Sequence, residues 1–263
     1  MNRIDRKFSD LKARNKKAFI AFITAGDPSL AATEALVPVL GQAGADIIEL
    51  GVPFSDPMAD GRTIQEASFR ALQGGTTPAG ILAMVRRLRK VTEVPIALMT
   101  YYNPVFHFGE EQFVAQAKAA GVDGLIIPDL PVTEAAVLRK AAAKHDLALV
   151  FFLAPTTTSA RMAGIVRAAS GFVYFVSVAG VTGASVLVAK DIARKVQMAR
   201  AMSGVPVCVG FGISTPQQVK EIAGFADGVI VGSAIVKEVA KYSGAQDMPA
   251  RVAVFVKSLS SVL

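Results

Sequence analysis

Short runs of apolar, β-favouring residues alternate along this chain with longer segments whose apolar residues recur at helical spacing. The short runs cover 18–24, 46–50, 95–100, 124–127, 148–153, 172–177, 206–210 and 228–231, eight in all. Between them lie helical patterns such as Phe113, Ala117 and Ala120, or Ala136, Leu138 and Ala142 after Thr133-Glu134. Strand–helix alternation predicts a parallel sheet. Strands covered on both faces read as continuous apolar runs rather than as alternating ones, and these runs are continuous. Eight repeats within 263 residues fit a closed (β/α)8 TIM barrel better than an open sheet. The expectation is an α/β chain forming one barrel domain over 1–263.

Local punctuation supports that frame. Asp27-Pro28 is expected to open the first barrel helix, and Ser214-Thr215-Pro216 the seventh, because proline at the first helical position loses no needed hydrogen bond. Gly74-Gly75-Thr76-Thr77-Pro78 splits two helical patterns, which predicts an extra helix between the second and third strands. The first seventeen residues predict another helix, covering the bottom of the barrel.

Composition narrows the partners. At 52% hydrophobic and 19% charged, the chain can fill a large core. No apolar run reaches the length of a membrane helix. The charged opening segment lacks the apolar stretch of a secretory signal. A lone cysteine, Cys208, excludes an internal disulfide and fits a reducing compartment, so a cytoplasmic location is expected. It reads as a small buried hydrophobe. The net charge of +7 is spread over many helical segments without interleaved aromatics. That reads as a solvated basic surface rather than a nucleic-acid face, and it favours a phosphorylated substrate. His107, placed in a loop, and His145 are too few and too separate for a metal cluster.

The candidate chemistry starts at Glu49. It stands at the C-terminal end of the second predicted strand, on the same face as Ile47. Burying a carboxyl costs several kcal/mol, roughly, unless it is paired or used, and the predicted strands hold no Lys or Arg to pair with it. Barrel active sites are built at this end. The next loop, 51–61, is longer than the usual ~2–6 residues of such connections and delivers Asp60 back to the barrel mouth. Two carboxyls in different environments can serve as acid and base. Alternatively, Glu49 pairs with a cation and Asp60 only caps the next helix.

Glycine-bearing turns follow the last three strands at Thr182-Gly183, Phe211-Gly212 and Gly232-Ser233. Loops at these positions, with a helix N-terminus, commonly hold phosphate in such barrels. Phe22, Tyr101, Tyr102, Ile126 and Tyr174 lie at or near strand ends and suit either a slot for a flat ring or plain barrel filling.

The run Ile48-Glu49-Leu50-Gly51-Val52-Pro53-Phe54-Ser55-Asp56-Pro57-Met58-Ala59-Asp60-Gly61 resembles the signature of the tryptophan synthase α chain family. Further matches are Thr24-Ala25-Gly26-Asp27-Pro28, Tyr101-Tyr102-Asn103-Pro104, Pro128-Asp129-Leu130-Pro131, Gly180-Val181-Thr182-Gly183, Gly210-Phe211-Gly212-Ile213-Ser214 and Val231-Gly232-Ser233-Ala234. The resemblance spans nearly the whole chain. It implies a carbon–carbon lyase of tryptophan biosynthesis that cleaves indole-3-glycerol phosphate reversibly to indole and glyceraldehyde 3-phosphate. It implies Glu49 as general acid/base and Asp60 as the partner of the indole N–H. It implies phosphate binding by Gly183, Gly212, Gly232 and Ser233, from a helix beginning near Ala234, and an indole pocket at Phe22, Tyr101 and Ile126. Tyr174 and Phe211 are added as substrate-contacting candidates.

No metal or organic cofactor is expected in this chain. The resemblance implies docking to a pyridoxal-phosphate-dependent β chain in an α2β2 heterotetramer, with Pro53, Phe54 and Asp56 as part of the contact. The long loop 178–190 is expected to act as a lid, with Thr182 near the catalytic carboxylate. Two departures from the family stand out. Arg62 replaces a common proline and either lowers the Asp60 pKa or faces solvent, and Ala184-Ser185 lacks an arginine often found there. Another lyase or isomerase of a phosphorylated molecule would share the glycine turns. A non-catalytic barrel that only activates a β chain would need neither acid.

Overall fold

A computed structural model describes residues 1–177, 186–210 and 212–263, with the side chains of 186–189 outside that description. Eight parallel strands close in sequence order into a barrel: β1 (Ala18–Thr24), β2 (Ile47–Gly51), β3 (Ile96–Met99), β4 (Gly124–Ile126), β5 (Ala148–Leu153), β6 (Val173–Val176), β7 (Val207–Gly210) and β8 (Gly228–Val231). The TIM barrel read from the alternation is the fold observed, and several strands begin or end a residue or two inside the predicted runs.

Around the barrel lie α2 (Leu30–Gln42), α3 (Arg62–Gln73), α4 (Pro78–Leu88), α5 (Tyr102–Phe108), α6 (Glu110–Ala120), α7 (Ala136–Lys144), α8 (Ser159–Ala168), α9 (Val186–Met202), α10 (Pro216–Ala223), α11 (Ser233–Lys241) and α12 (Met248–Ser260). The extra helix between the second and third strands is present, since α3 and α4 both lie there. Thr215 caps α10 with a full capping box and Pro216 in the first turn. Three local expectations need correction. Ser29, not Asp27, caps α2; the Asp27 carboxylate instead takes two hydrogen bonds of 2.8 Å from Arg70 of α3. Ala136 is exposed, and α7 buries Leu138, Ala141 and Ala142 instead. His107 lies in α5 rather than in a loop.

Inward and outward positions alternate along each strand. The outward side chains pack with the helices in the main core. The inward set fills the tube with Ala18, Ile20, Ile47, Ala97, Ile126, Val150, Cys208 and Ile230. The N-terminal helix α1 (Arg3–Ala13) adds Ile4, Phe8 and Leu11 to this set and closes the bottom. Ile4 presses so closely on the strand starts that a Cβ on Gly124 would stand 2.9 Å from its Cδ1. Asn2 caps α1 and also donates to the Asp123 carbonyl, while Arg3 ion-pairs with the buried Asp123 carboxylate.

A recurring device sets the strand register at this end. Asp46, Asp123 and Asp227 each directly precede an even-numbered strand. Their carboxylates accept the N–H of Phe19 (3.0 Å), Ile96 (2.9 Å) and Val207 (3.1 Å) on the preceding strand. Each carboxylate satisfies a strand-entry donor that the ladder leaves free. Cations then pair with the three acids, Lys7 with Asp46, Arg89 with Asp123 and Arg200 with Asp227.

Because Ile4 is fully buried, Ile4→Ala should lower unfolding free energy by about 2–5 kcal/mol. Urea titration checks this, with the midpoint expected to fall at an unchanged slope.

Candidate active site

The inward side chain nearest the C-terminal end of β2 is Glu49, which is fully buried. Its register partners are Phe22 on β1 and Ala97 on β3. Neither offers a hydrogen bond, and both carboxyl oxygens lack a partner among the described residues. The paired-cation alternative therefore fails. Burial alone pushes the Glu49 carboxyl up to about 8. An acid in that state holds its proton at neutral pH.

Asp60 reaches the same mouth from the loop over 52–61. Burial raises its carboxyl to about 6, opposed by interaction with the Tyr101 hydroxyl. Arg62 contributes nothing to this. It faces solvent, 92% exposed, and pairs with Glu66 at 2.8 Å. Asp60 does not cap α3 either, since Gly61 occupies the cap position with no side-chain bond. Tyr174 of β6 lies within electrostatic reach of both acids. Its hydroxyl is held well above the ordinary tyrosine range by burial first, then by the charges of Glu49, Cys208 and Asp60.

Glycines make the room for this arrangement. A Cβ on Gly51 would stand 2.5 Å from the tip of the Phe22 ring, and one on Gly210 would stand 2.5 Å from the Tyr174 hydroxyl. Only a bare backbone leaves room for those rings. The cavity beside Phe22 is narrow and is lined by Phe22, Asp60, Ile64, Met99, Tyr101 and Pro128, among others. Ile126 lies deeper, in the fully buried inward set, and supports this floor rather than lining the cavity.

On the same rim, after the strand on the other side of β1, α11 starts at Ser233 rather than at Ala234, with Gly232 as its cap residue and no side-chain cap. The Gly232 carbonyl takes the N–H groups of Ile235 (2.8 Å) and Val236 (3.0 Å). The N–H groups of Ser233 and Ala234 are therefore left pointing out of the first turn. A helix start with two free donors is suited to an anion. Gly232 also lies beside Phe22, since a Cβ there would meet that side chain at 3.4 Å. Gly212 is exposed in the loop after β7, in the left-handed region at φ +76°. Thr182, Gly183 and Phe211, like most of the expected lid, lie outside the described residues.

Both acids and the anion-ready turn thus lie at one end of the barrel. The family model described as "Tryptophan synthase alpha chain" matches residues 8–262. The chain belongs to the tryptophan synthase alpha chain family. It is 53% identical to the tryptophan synthase alpha chain of Geobacter sulfurreducens, covering 100% of this chain and 99% of that protein. The corresponding protein of Citrifermentans bemidjiense is 55% identical over 94% of this chain and 92% of its own length. Among solved structures, tryptophan synthase subunit alpha from Legionella pneumophila superposes with a TM-score of 0.93 at 39% identity, covering 100% of this chain and 98% of that one. A tryptophan synthase structure from Mycobacterium tuberculosis superposes at 0.89 with 35% identity, covering 100% of this chain and 99% of that one.

Sequence reasoning missed what surrounds these candidates. Phe54 stacks on Tyr101 with ring centroids 5.2 Å apart, and Phe152 lies 4.8 Å from Tyr174. Their signal was parity. Phe152 shares the inward phase of Ala148 and Val150 on β5, and Phe54 lies beside Pro53 at the start of the loop. Among the described residues, no helix is long and apolar enough to cross a membrane.

A group whose folded pKa is raised favours folding below its unfolded value, and that contribution is lost as pH rises through the folded value. For Glu49 the window runs from the ordinary 4.5 to about 8. Glu49→Gln, which carries no charge to bury, should melt above the unmodified protein at pH 8–9. The gap should close toward pH 5, as read by thermal denaturation across pH.

Proposed function

We propose that Glu49 and Asp60 carry out the reversible cleavage of indole-3-glycerol phosphate to indole and glyceraldehyde 3-phosphate, the carbon–carbon lyase reaction of the tryptophan synthase alpha chain family. The observation that carries this reading is a fully buried carboxyl at the barrel mouth with no hydrogen-bond partner among the described residues, with a second acid brought to the same mouth by the following loop.

The chemistry follows from the two environments. Glu49, protonated near neutral pH, gives its proton to the ring carbon that bears the glycerol chain. The ring nitrogen then carries positive charge, and the ionised Asp60 accepts its N–H and opposes that charge. Glu49, now a carboxylate, takes the proton from the hydroxyl on the carbon attached to the ring. The carbon–carbon bond breaks and its electrons return to the ring. Indole and the aldehyde leave, and Glu49 is again protonated. The ring serves as its own electron sink, so the reading uses only this chain's side chains and backbone.

Phe22 and Tyr101 hold the ring, with Ile126 and Tyr174 beneath and beside it. The free N–H groups at the start of α11 support a phosphate site at Gly232 and Ser233, completed by Gly183 and Gly212. Thr182 and Phe211 enter the reading as contacts from the neighbouring loops. The exposed tip of the Asp60 loop supports docking of a pyridoxal-phosphate-dependent β chain in an α2β2 assembly. Asp56 is exposed and Met58 is 94% exposed there, whereas Pro53 is buried and Phe54 is turned onto Tyr101. The contact is therefore carried by Asp56 and Met58 rather than by Pro53.

Glu49→Gln should lower the rate of indole release by roughly 10²–10⁴-fold while inhibition by inorganic phosphate is kept. The kcat/KM profile should be bell-shaped, falling below about 6 as Asp60 gains a proton and above about 8 as Glu49 loses one. Full activity in Glu49→Gln would overturn the assignment. For the partner, size-exclusion chromatography should show co-elution with a β chain, and Met58→Asp should abolish it.

A further inference from the structure

We infer that Tyr101 is a positioning residue whose hydroxyl fixes the Asp60 loop over the barrel mouth, in addition to its ring serving as a wall of the ligand cavity. The inference rests on the proposed role of Asp60. Four observations converge on that hydroxyl. It accepts the Ala59 N–H at 2.9 Å, one residue before the acid. It stands in electrostatic contact with the Asp60 carboxyl itself. The Tyr101 ring is buried and clamped by Phe54, from the outgoing limb of the same loop, at an interplanar angle of 30°. Tyr101 and Asp60 also line one cavity. A single side chain thus grips the loop near both ends.

The loop has few other anchors. Among the described residues, hydrogen bonds from 54–60 to the rest of the chain run to Tyr101 and to Gln65, whose side chain donates to the Asp60 carbonyl at 2.8 Å. The remaining bonds are internal, such as Met58 N–H to Asp56 and Asp60 N–H to Pro57. Tyr101 can act as a strut because it is itself fixed. It caps α5, and the following Tyr102 N–H donates to the Asp129 carboxylate at 2.9 Å. Asp129 lies just after β4, so the grip is referred back to the barrel wall.

The hydrogen-bond inventory of a phenol decides the direction of action. The hydroxyl oxygen already accepts from Ala59, so its one proton is free for the neighbouring carboxylate. Donation to the ionised acid favours that form and orients it. A proton given to one Asp60 oxygen would leave the other available for a ring N–H. The titratable groups in electrostatic contact with this acid are Tyr101 from the β3–α5 turn and Tyr174 from β6, which also sense Asp129 and Glu49 respectively. On α3, Arg62 and Glu66 pair with each other at the surface.

Tyr101→Phe separates the strut from the wall, because it keeps the ring and removes only the hydroxyl. If the inference holds, kcat for indole release falls about tenfold or more with KM little changed. The acid limb of the kcat/KM profile also moves to higher pH, because Asp60 loses the donor that favours its charged form. Unchanged kcat together with an unmoved acid limb would overturn it, leaving Tyr101 as a ring contact only. A rise in KM alone would do the same. Asp60→Asn, assayed in parallel, separates the two levels. If that variant keeps full activity, the role of Asp60 fails, whereas an impaired Asp60→Asn beside an unaffected Tyr101→Phe removes only the strut.

Discussion

The molecule is organised around one unfavourable act, the burial of an acid in an apolar tube with no partner for it among the described residues. Glu49 stands among Phe22, Ala97 and the inward aliphatic set, and both its oxygens lack a partner among the described residues. Such a group is costly, and the surroundings must be stiff enough to hold it. A closed eight-stranded barrel supplies that stiffness. Its bottom is pinned by Asp46, Asp123 and Asp227 bridging adjacent strands, and its lumen is packed by large aliphatic side chains. The cost lies at the one place where an acid with a raised pKa is useful.

The second acid is held differently. Asp60 sits on a long connection, half-buried, and its pKa is set by burial against the pull of one phenol. One carboxyl is therefore fixed by a strand and the other by a loop that a tyrosine grips from outside. The two environments differ enough to separate their protonation states across neutral pH, which is the requirement for acid–base work by paired carboxyls. The same division explains why glycines crowd the rim. Gly51 and Gly210 are bare because Phe22 and Tyr174 lie across them, and an ordinary side chain at either position would push a ring out of the mouth.

Much of this was legible from residue order. The continuous apolar runs gave the strands because each is covered on both faces. Glu49 stood out because an ionisable side chain ended such a run. Thr215-Pro216 was readable as a helix start because its bonds are local. Asp27 was misread because its partner, Arg70, is 43 residues away, and a local capping argument cannot see a distant cation. The strand-bridging acids escaped for a related reason. Ala45-Asp46, Val122-Asp123 and Ala226-Asp227 form a faint repeat ahead of alternate strands, visible only once register is known. Tyr101 was placed at the cavity from its position, yet its grip on Ala59 depends on where a ten-residue loop returns, and no periodicity encodes that.

The helix that stoppers the lower opening has one more implication. With Ile4 and Phe8 wedged among the strand starts, the tube is blind at its lower end among the described residues, and its door lies at the other. Water, protons, reactant and released ring all pass the same threshold, in turn. Whatever settles on that threshold governs arrival and departure together, so a body docked there would turn an open cup into a sealed chamber without altering a single bond inside it.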